Sequence, residues 1–324
     1  MYMTGFNTLN EYGNYMLAVL GRSPLTVDEY KYDIIMFFRY MKTTRGLVKP
    51  SDRFEEIILS DVDIDFIESI TTEDILSFLV WLNRSRQLSN NSRARRIASL
   101  RSFFKYCEQK RHLISHNPTL NIETPKIGER TPKYLTLEES KRLLDTAYAS
   151  PSESNARDYC MLVLFLNCGM RLSELRGINI DKIKDNILTV IGKGNKERTV
   201  YLNQSCLDAL KEWYRERSKI RINTCDEKAL FVSKRGNRIS EDAIQHAIKR
   251  LLGEAGLDTT KYSVHKLRHT AATLMYKYGH VDIRSLQTIL GHQNVSTTQI
   301  YTHVDEEQLR QAVASNPLAE YNPD

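Results

Sequence analysis

Between residues 7 and 41, apolar side chains recur at helical spacing in two runs separated by Gly21-Arg22-Ser23-Pro24. In the second run Tyr30, Ile34, Phe37, Phe38 and Met41 share one face, so the pattern predicts two helices joined by a turn. Residues 43–70 lose this periodicity and turn acidic, which predicts a long loop with a short turn of helix. Helical spacing resumes from Thr72 (Ile75, Phe78, Leu79, Leu82) and from Ser89 (Ile97, Leu100, Phe103, Phe104), with Thr72 and Ser92 as candidate helix starts. Residues 1–117 are therefore expected to form a small all-helical bundle.

Three prolines, a glycine and few large apolar residues mark the stretch up to Pro132, so residues 118–132 read as an extended linker. A second domain is expected over 133–324. Thr136-Leu137-Glu138-Glu139 has the capping-box form and opens a helix through Ala147. A strongly apolar helix follows (Tyr159, Leu162, Val163, Phe165, Leu166) and ends near Gly169. Two β-branched runs, Ile187–Ile191 and Arg198–Leu202, flank Gly-Lys-Gly-Asn-Lys-Glu and predict a hairpin, with Ala229–Val232 as a candidate third strand. The rest reads as helical to about Ala314. The fold class is thus mainly α: a helical N-terminal bundle and a mostly helical second domain with a small antiparallel sheet.

Composition narrows the function. Charged residues make up 27% and hydrophobic residues 41% of 324 positions, the profile of a globular chain with enough apolar material for real cores. No run approaches the length of a membrane span, and the N-terminus lacks a basic segment followed by an apolar one, so the expected location is the cytoplasm, without membrane association. Five widely spaced cysteines without a C-x-x-C pair read as reduced thiols, not a disulfide frame or zinc site. The net charge of +6 is modest, but its distribution is uneven. From Arg84 to Arg111 there are nine basic residues and one acid, whereas Asp52–Asp74 holds nine acids and one base. Arg84, Arg86, Arg93, Arg95, Arg96, Arg101 and Lys105 are candidates for contact with a phosphate backbone. A solvated helix face would carry the same pattern.

Four separated pieces of the second domain carry chemistry. They are Gly169-Met170-Arg171-Leu172-Ser173-Glu174-Leu175, Gly192-Lys193-Gly194, His265-Lys266-Leu267-Arg268-His269, and Leu290-Gly291-His292 followed nine residues later by Tyr301. In their order and spacing these pieces resemble the signature of the tyrosine recombinase (phage integrase) family, closest in kind to its Xer and simple integrase groups. Helical pattern begins within the first ten residues, so a further arm-binding domain of the lambda integrase type is not expected. The acidic 43–70 stretch is longer than the family leads one to expect between those helices.

The residues make physical sense of that likeness. His265 and Arg268 stand at i and i+3, so both can face one phosphate. Arginine suits the task because its planar fork donates parallel hydrogen bonds and stays charged. The resemblance implies that Arg171 and Arg268 stabilise the charge of a pentavalent phosphorus, Lys193 protonates the departing 5′ oxygen, and His265 and His292 assist in proton transfer, with His265 the better candidate base. It makes Tyr301 the nucleophile, Glu174 a supporting carboxylate and His269 a lesser partner behind Arg268. Lys193 taken by itself fits a tight turn with a solvated side chain better than a catalytic role. A zinc hydrolase is excluded, since Lys266 replaces the glutamate of H-E-x-x-H and Arg268 would repel a cation.

The resemblance further implies the DNA breaking-rejoining fold, a core-site-binding role for the N-terminal bundle and double-stranded DNA with specific sites as substrate. It also implies a homotetramer on DNA, with or without a related recombinase, and a C-terminal segment docked into a neighbour, for which Asp305–Ala314 is the candidate; a helix packed on its own domain accounts for that segment equally well. No cofactor is expected. The sequence holds no phosphate-binding G-x-x-x-x-G-K-[ST] loop, and a phosphotyrosine intermediate conserves the energy of the broken bond. Resolution of chromosome dimers and movement of a mobile element remain alternatives at this stage, as do topoisomerase IB-like relaxation and non-catalytic DNA-binding regulation.

Overall fold

A computed structural model describes residues 5–49, 51–125, 133–192, 197–279 and 281–291. It divides into two compact units, Met1–Glu129 and Arg130–Asp324. In the first, α1 (Asn7–Ala18) and α2 (Pro24–Thr44) flank the Gly21–Pro24 turn. Pro24 opens α2 where no backbone donor is needed, and Ser23 Oγ accepts from Thr26 N–H at 3.2 Å. Next come α3 (Ile64–Glu68), α4 (Thr72–Arg84) and α5 (Asn90–Gln109). α4 starts at Thr72 as expected, whereas α5 starts at Asn90, before Ser92; Thr71 and Ser89, one residue outside each helix, supply the capping hydroxyls.

The core of this unit is aromatic. Phe6, Phe37, Phe38, Phe78, Phe103 and Phe104 are fully buried. They meet edge to face, as in Phe6–Phe38 with ring centroids at 5.0 Å and Phe37–Phe78 at 5.2 Å. The 43–70 stretch is more fastened than its acidity suggests. Ile57, Leu59, Val62, Ile67 and Ile70 are buried against the bundle, and Lys42 Nζ donates to Asp61 at 2.7 Å and to Ile58 O at 2.9 Å. Aliphatic side chains anchor this strap while its carboxylates stay outside or meet a cation. Asn117, Thr119 and Ile122 are also buried here, and Arg101 Nη2 donates to Ile122 O at 2.8 Å, so the start of the expected linker packs on the bundle.

In the second unit α6 (Leu137–Ala149) opens on the expected capping box, in which Thr136 Oγ1 accepts from Glu139 N–H and the Glu139 carboxylate accepts from Thr136 N–H. Residues 160–166 of α7 (Asn155–Cys168) are buried all round, which makes it the central helix. Around it pack α9 (Gln204–Arg217), α10 (Glu241–Glu254) and α11 (Val264–Tyr278), with α12 (Ile283–Leu290) against α11. Short α8 (Leu172–Arg176) leads to an antiparallel sheet of order β1-β2-β3. β2 is Ile187–Ile191 and β3 is Glu197–Tyr201, paired Val190 to Arg198 and Leu188 to Val200. The third strand is β1, Ile183–Lys184, and not Ala229–Val232. Those four residues are buried, but they make only isolated bridges, Asn179 to Ala229 and Val232 to Arg238. An apolar run met its need for burial without joining the sheet.

Candidate active site

Helix α7 ends at Gly169, whose φ of +58° places it in the left-handed region that terminates helices, with its N–H bonded to Phe165 O. A Cβ there would lie 2.7 Å from Leu290 Cδ2, so the backbone favours glycine and any other residue would push the Leu290 side chain aside. The turn delivers Arg171 to the N-cap of α8. Glu174, three residues on, accepts from Arg171 N–H at 2.9 Å, the carboxylate half of a capping box. The same carboxylate accepts from Arg171 Nη1 at 2.6 Å, so one short helix sets both the backbone and the guanidinium of Arg171.

Arg268 arrives from the first turns of α11 and is 7% exposed. Its Nη1 donates to Gly169 O at 2.7 Å and lies 3.8 Å from Glu174 Oε2, while Nη2 donates to Leu290 O at 2.6 Å. His265, one turn earlier, is exposed, and His269 is half-buried. Burial, then the positive charges of Lys266, Arg268 and His265, lower the His269 pKa to about 4, so its ring is neutral near pH 7.

A third arginine, Arg198 of β3, was absent from the sequence-based set. Its Nη2 donates to Glu174 Oε2 at 2.7 Å, its Nε to Oε1 at 3.4 Å, and its Nη1 to Ile289 O at 2.6 Å. The signal was present in the strand alternation. Arg198 shares the inward face of β3 with buried Val200, where a lone charge needs a partner. Burial alone would raise the Glu174 pKa, but hydrogen bonds and charge from Arg198 and Arg171 outweigh it and hold the carboxyl below the usual range. Glu174 is therefore a fixed anion among three cations.

The three arginines also converge on the carbonyl end of α12. Arg198 bonds Ile289 O, Arg268 bonds Leu290 O and Arg171 Nη2 bonds Gly291 O at 2.9 Å. These acceptors face the negative end of a helix, where cations are favoured. Gly291 turns the chain at φ +65°, and its N–H closes on Gln287 O and Thr288 O.

Lys193, His292 and Tyr301 lie outside the described residues, as does Asp305–Ala314. Of the basic candidates in the first unit, Arg84, Arg86 and Lys105 are exposed, and Arg93, Arg95 and Arg101 are half-buried. Arg96 is buried, and Arg95 makes a two-pronged ion pair at 2.6 and 2.9 Å with Asp33, which is fully buried and also accepts from Ser99 Oγ. Arg96 Nε lies 3.7 Å from the same carboxylate, so Arg96 serves the α2–α5 interface instead of the surface expected for it. Among the described residues no helix is long and apolar enough to cross a membrane, and no group of three His, Cys, Asp or Glu side chains is placed to hold a metal ion.

Comparison with known proteins matches residues 133–308 to the phage integrase family and residues 52–111 to the phage integrase N-terminal SAM-like domain. The chain is 53% identical over 312 residues to tyrosine recombinase XerC of Caldanaerobacter subterraneus subsp. tengcongensis, covering 96% of this chain and 87% of the relative. It is 33% identical over 321 residues to tyrosine recombinase XerC of Alcanivorax borkumensis, covering 98% and 96%. Its fold is shared with the XerH site-specific recombinase in a post-cleavage complex with a palindromic difH substrate, at a TM-score of 0.70 and 24% identity over 90% of this chain and 80% of that one. With the family matched over more than half its length and such relatives along almost all of it, this chain belongs to the phage integrase family, among its tyrosine recombinases.

Proposed function

We propose that the chain is a site-specific recombinase of double-stranded DNA in which Tyr301 attacks the scissile phosphate. The Tyr301 oxygen gives up its proton, with His265 as the acceptor, and forms a bond to phosphorus as the bond to the 5′ oxygen breaks, leaving a 3′-phosphotyrosyl ester. The departing oxygen takes a proton, with Lys193 as donor, and becomes a free 5′ hydroxyl. A 5′ hydroxyl from a partner duplex then attacks the phosphotyrosine, releases Tyr301 and completes the exchange. Each round touches four strands, so four copies on two sites form the working assembly.

The observation that carries this reading is the convergence of Arg171 and Arg268 on buried Glu174. Two guanidinium groups held by one carboxylate and by backbone carbonyls are set in place before substrate arrives, which is the condition for stabilising charge that develops on phosphorus. His265 stands exposed one turn from Arg268 on α11, within the same face, as a proton-transfer partner. His269, neutral at physiological pH, supports the site by packing and hydrogen bonding instead of by charge. In the first unit Arg84, Arg86 and Lys105, aided by Arg93, Arg95 and Arg101, are the proposed contacts to the core site.

A recognition site selected from a random DNA pool, then nicked so that the freed 5′ fragment diffuses away, tests this directly. The wild type should accumulate a covalent protein–DNA adduct that Tyr301→Phe does not form. An adduct surviving Tyr301→Phe would overturn the nucleophile. Relaxation of a supercoiled plasmid lacking the site, without strand exchange between sites, would replace recombination with topoisomerase-like relaxation.

A further inference from the structure

Arg198 spends three of its donors on two fixed partners. Nη2 and Nε grip the Glu174 carboxylate, and Nη1 grips Ile289 O, the first of three consecutive carbonyls at the end of α12. Its side chain is 12% exposed, and these three donors are already committed to protein acceptors. It is the only one of the three arginines that reaches the carboxylate from the sheet, since Arg171 comes from α8 and Arg268 from α11.

We propose that Arg198 is a positioning residue for strand cleavage: it fixes the Glu174 carboxylate that aims Arg171 and ties the carbonyl end of α12 to the β2–β3 hairpin. The physical argument is one of shared acceptors. Glu174 has to bond the N–H and Nη1 of Arg171 at the same time as it neutralises Arg268. Without the Arg198 fork on its far side, the carboxylate can rotate toward either of the other two cations. Arg171 would then lose its paired geometry, and Gly291 O would lose its alignment with Arg171 Nη2. Residues 289–291 run directly into the segment toward His292 and Tyr301, so the same side chain bears on the start of that segment. Only a planar fork can serve both partners, and a lysine in its place can reach one of them.

This inference rests on Arg171 and Arg268 acting as ligands of the scissile phosphate, and the test separates the two claims. Single-turnover adduct formation on the nicked site is measured at saturating protein, beside affinity for the uncleaved site and thermal melting. Arg198→Gln should slow cleavage about 100-fold, the scale of a displaced catalytic group, while affinity shifts less than about threefold. Arg198→Lys should recover part of the rate. Glu174→Gln/Arg198→Gln should be slower than Glu174→Gln alone by far less than Arg198→Gln is slower than the wild type, because the part that acts through the carboxylate is already lost and only the Ile289 O tie is removed in addition. Equal losses of rate and affinity, an undiminished rate in Arg198→Gln, or effects that multiply in the double variant would each overturn the proposal. If Arg198→Gln does not fold, the rate–affinity split in Arg198→Lys decides. A fully active Arg171→Ala would overturn the underlying reading, whereas an inactive Arg171→Ala beside a fully active Arg198→Gln would overturn the positioning role alone.

Discussion

Gly291 and Arg198 approach so closely that a Cβ on Gly291 would stand 2.8 Å from Arg198 Cδ and 3.4 Å from its Nε. Arg198 cannot swing aside without releasing Glu174 or Ile289 O. Gly256 has nearly the same backbone, φ +67° against +65°, with nothing within 4 Å of its Cβ position. Gly256→Ala should therefore show the left-handed strain alone, about 1–2 kcal/mol, and cleave at the wild-type rate. Gly291→Ala should lose more stability than that and slow adduct formation at least about tenfold, as expected for a misplaced group in the site. Denaturant titration and single-turnover cleavage of both variants check the contrast.

The Asp33 carboxylate sets buried Arg96 apart from the basic residues proposed to contact DNA in the first unit. It is fully buried with Arg95, Arg96 and Ser99 around it, so Asp33→Ala leaves the buried Arg96 guanidinium uncompensated and should destabilise the unit by about 3–5 kcal/mol. Arg96→Ala should likewise lower stability and leave the salt dependence of DNA binding unchanged. Lys105→Ala, at an exposed position, should change stability by less than about 0.5 kcal/mol and reduce the slope of log affinity against log salt by about one. An Arg96→Ala slope change as large as that of Lys105→Ala would refute the division.

The difference between Arg96 and Lys105 also shows where sequence reading stops. Helical spacing and capping chemistry are local, so α2, α6 and the apolar α7 with its end near Gly169 were legible from neighbouring residues. Arg171, Glu174, His265 and Arg268 were legible as a pattern, and the structure brings Glu174 together with both arginines. Which arginine on α5 turns inward depends on Asp33, a residue of another helix, and no spacing within α5 reveals it. Arg198 differs: its alternation with Val200 in β3 marks it as inward-facing, but a basic residue near a hairpin reads as surface and its carboxylate partner belongs to α8. A two-residue β1 is too short to show alternation, whereas Ala229–Val232 showed apolar character without strand pairing.

His269 should make stability fall with acid over a defined window. Its pKa in the folded protein is lowered to about 4, against about 6.5 for an unperturbed ring, so the unfolded chain takes up the proton first. The contribution is complete above pH ~6.5, is lost as pH falls toward ~4, and is flat below that, with a total of about 2 kcal/mol after allowance for partial exposure. Urea unfolding at pH 7 and pH 5 should show this loss in the wild type and a smaller one in His269→Gln. Equal losses in both proteins would place the acid sensitivity elsewhere.

Glu174→Gln keeps the shape of the side chain and removes its charge, leaving Arg171, Arg198 and Arg268 to repel one another around a neutral amide. Breaking a buried ion pair from one side costs about 3–5 kcal/mol, so the variant should melt well below the wild type. The carboxylate is depressed in the folded state, which means that its stabilisation is present above the ordinary carboxylate pKa and disappears as pH falls through the lower folded value. Glu174→Gln should therefore lack that part of the acid dependence, while Glu174→Asp should retain it with longer bonds to Arg171. Cleavage should follow the same order: wild type fastest, Glu174→Asp intermediate, and Glu174→Gln slower by about 100-fold, since the amide can satisfy Arg171 N–H but cannot balance three cations. Comparing melting at pH 7 and pH 4 with adduct formation at pH 7 tests both halves. A Glu174→Gln protein with wild-type cleavage would mean that Arg171 is aimed by its backbone turn and by Gly291 O alone.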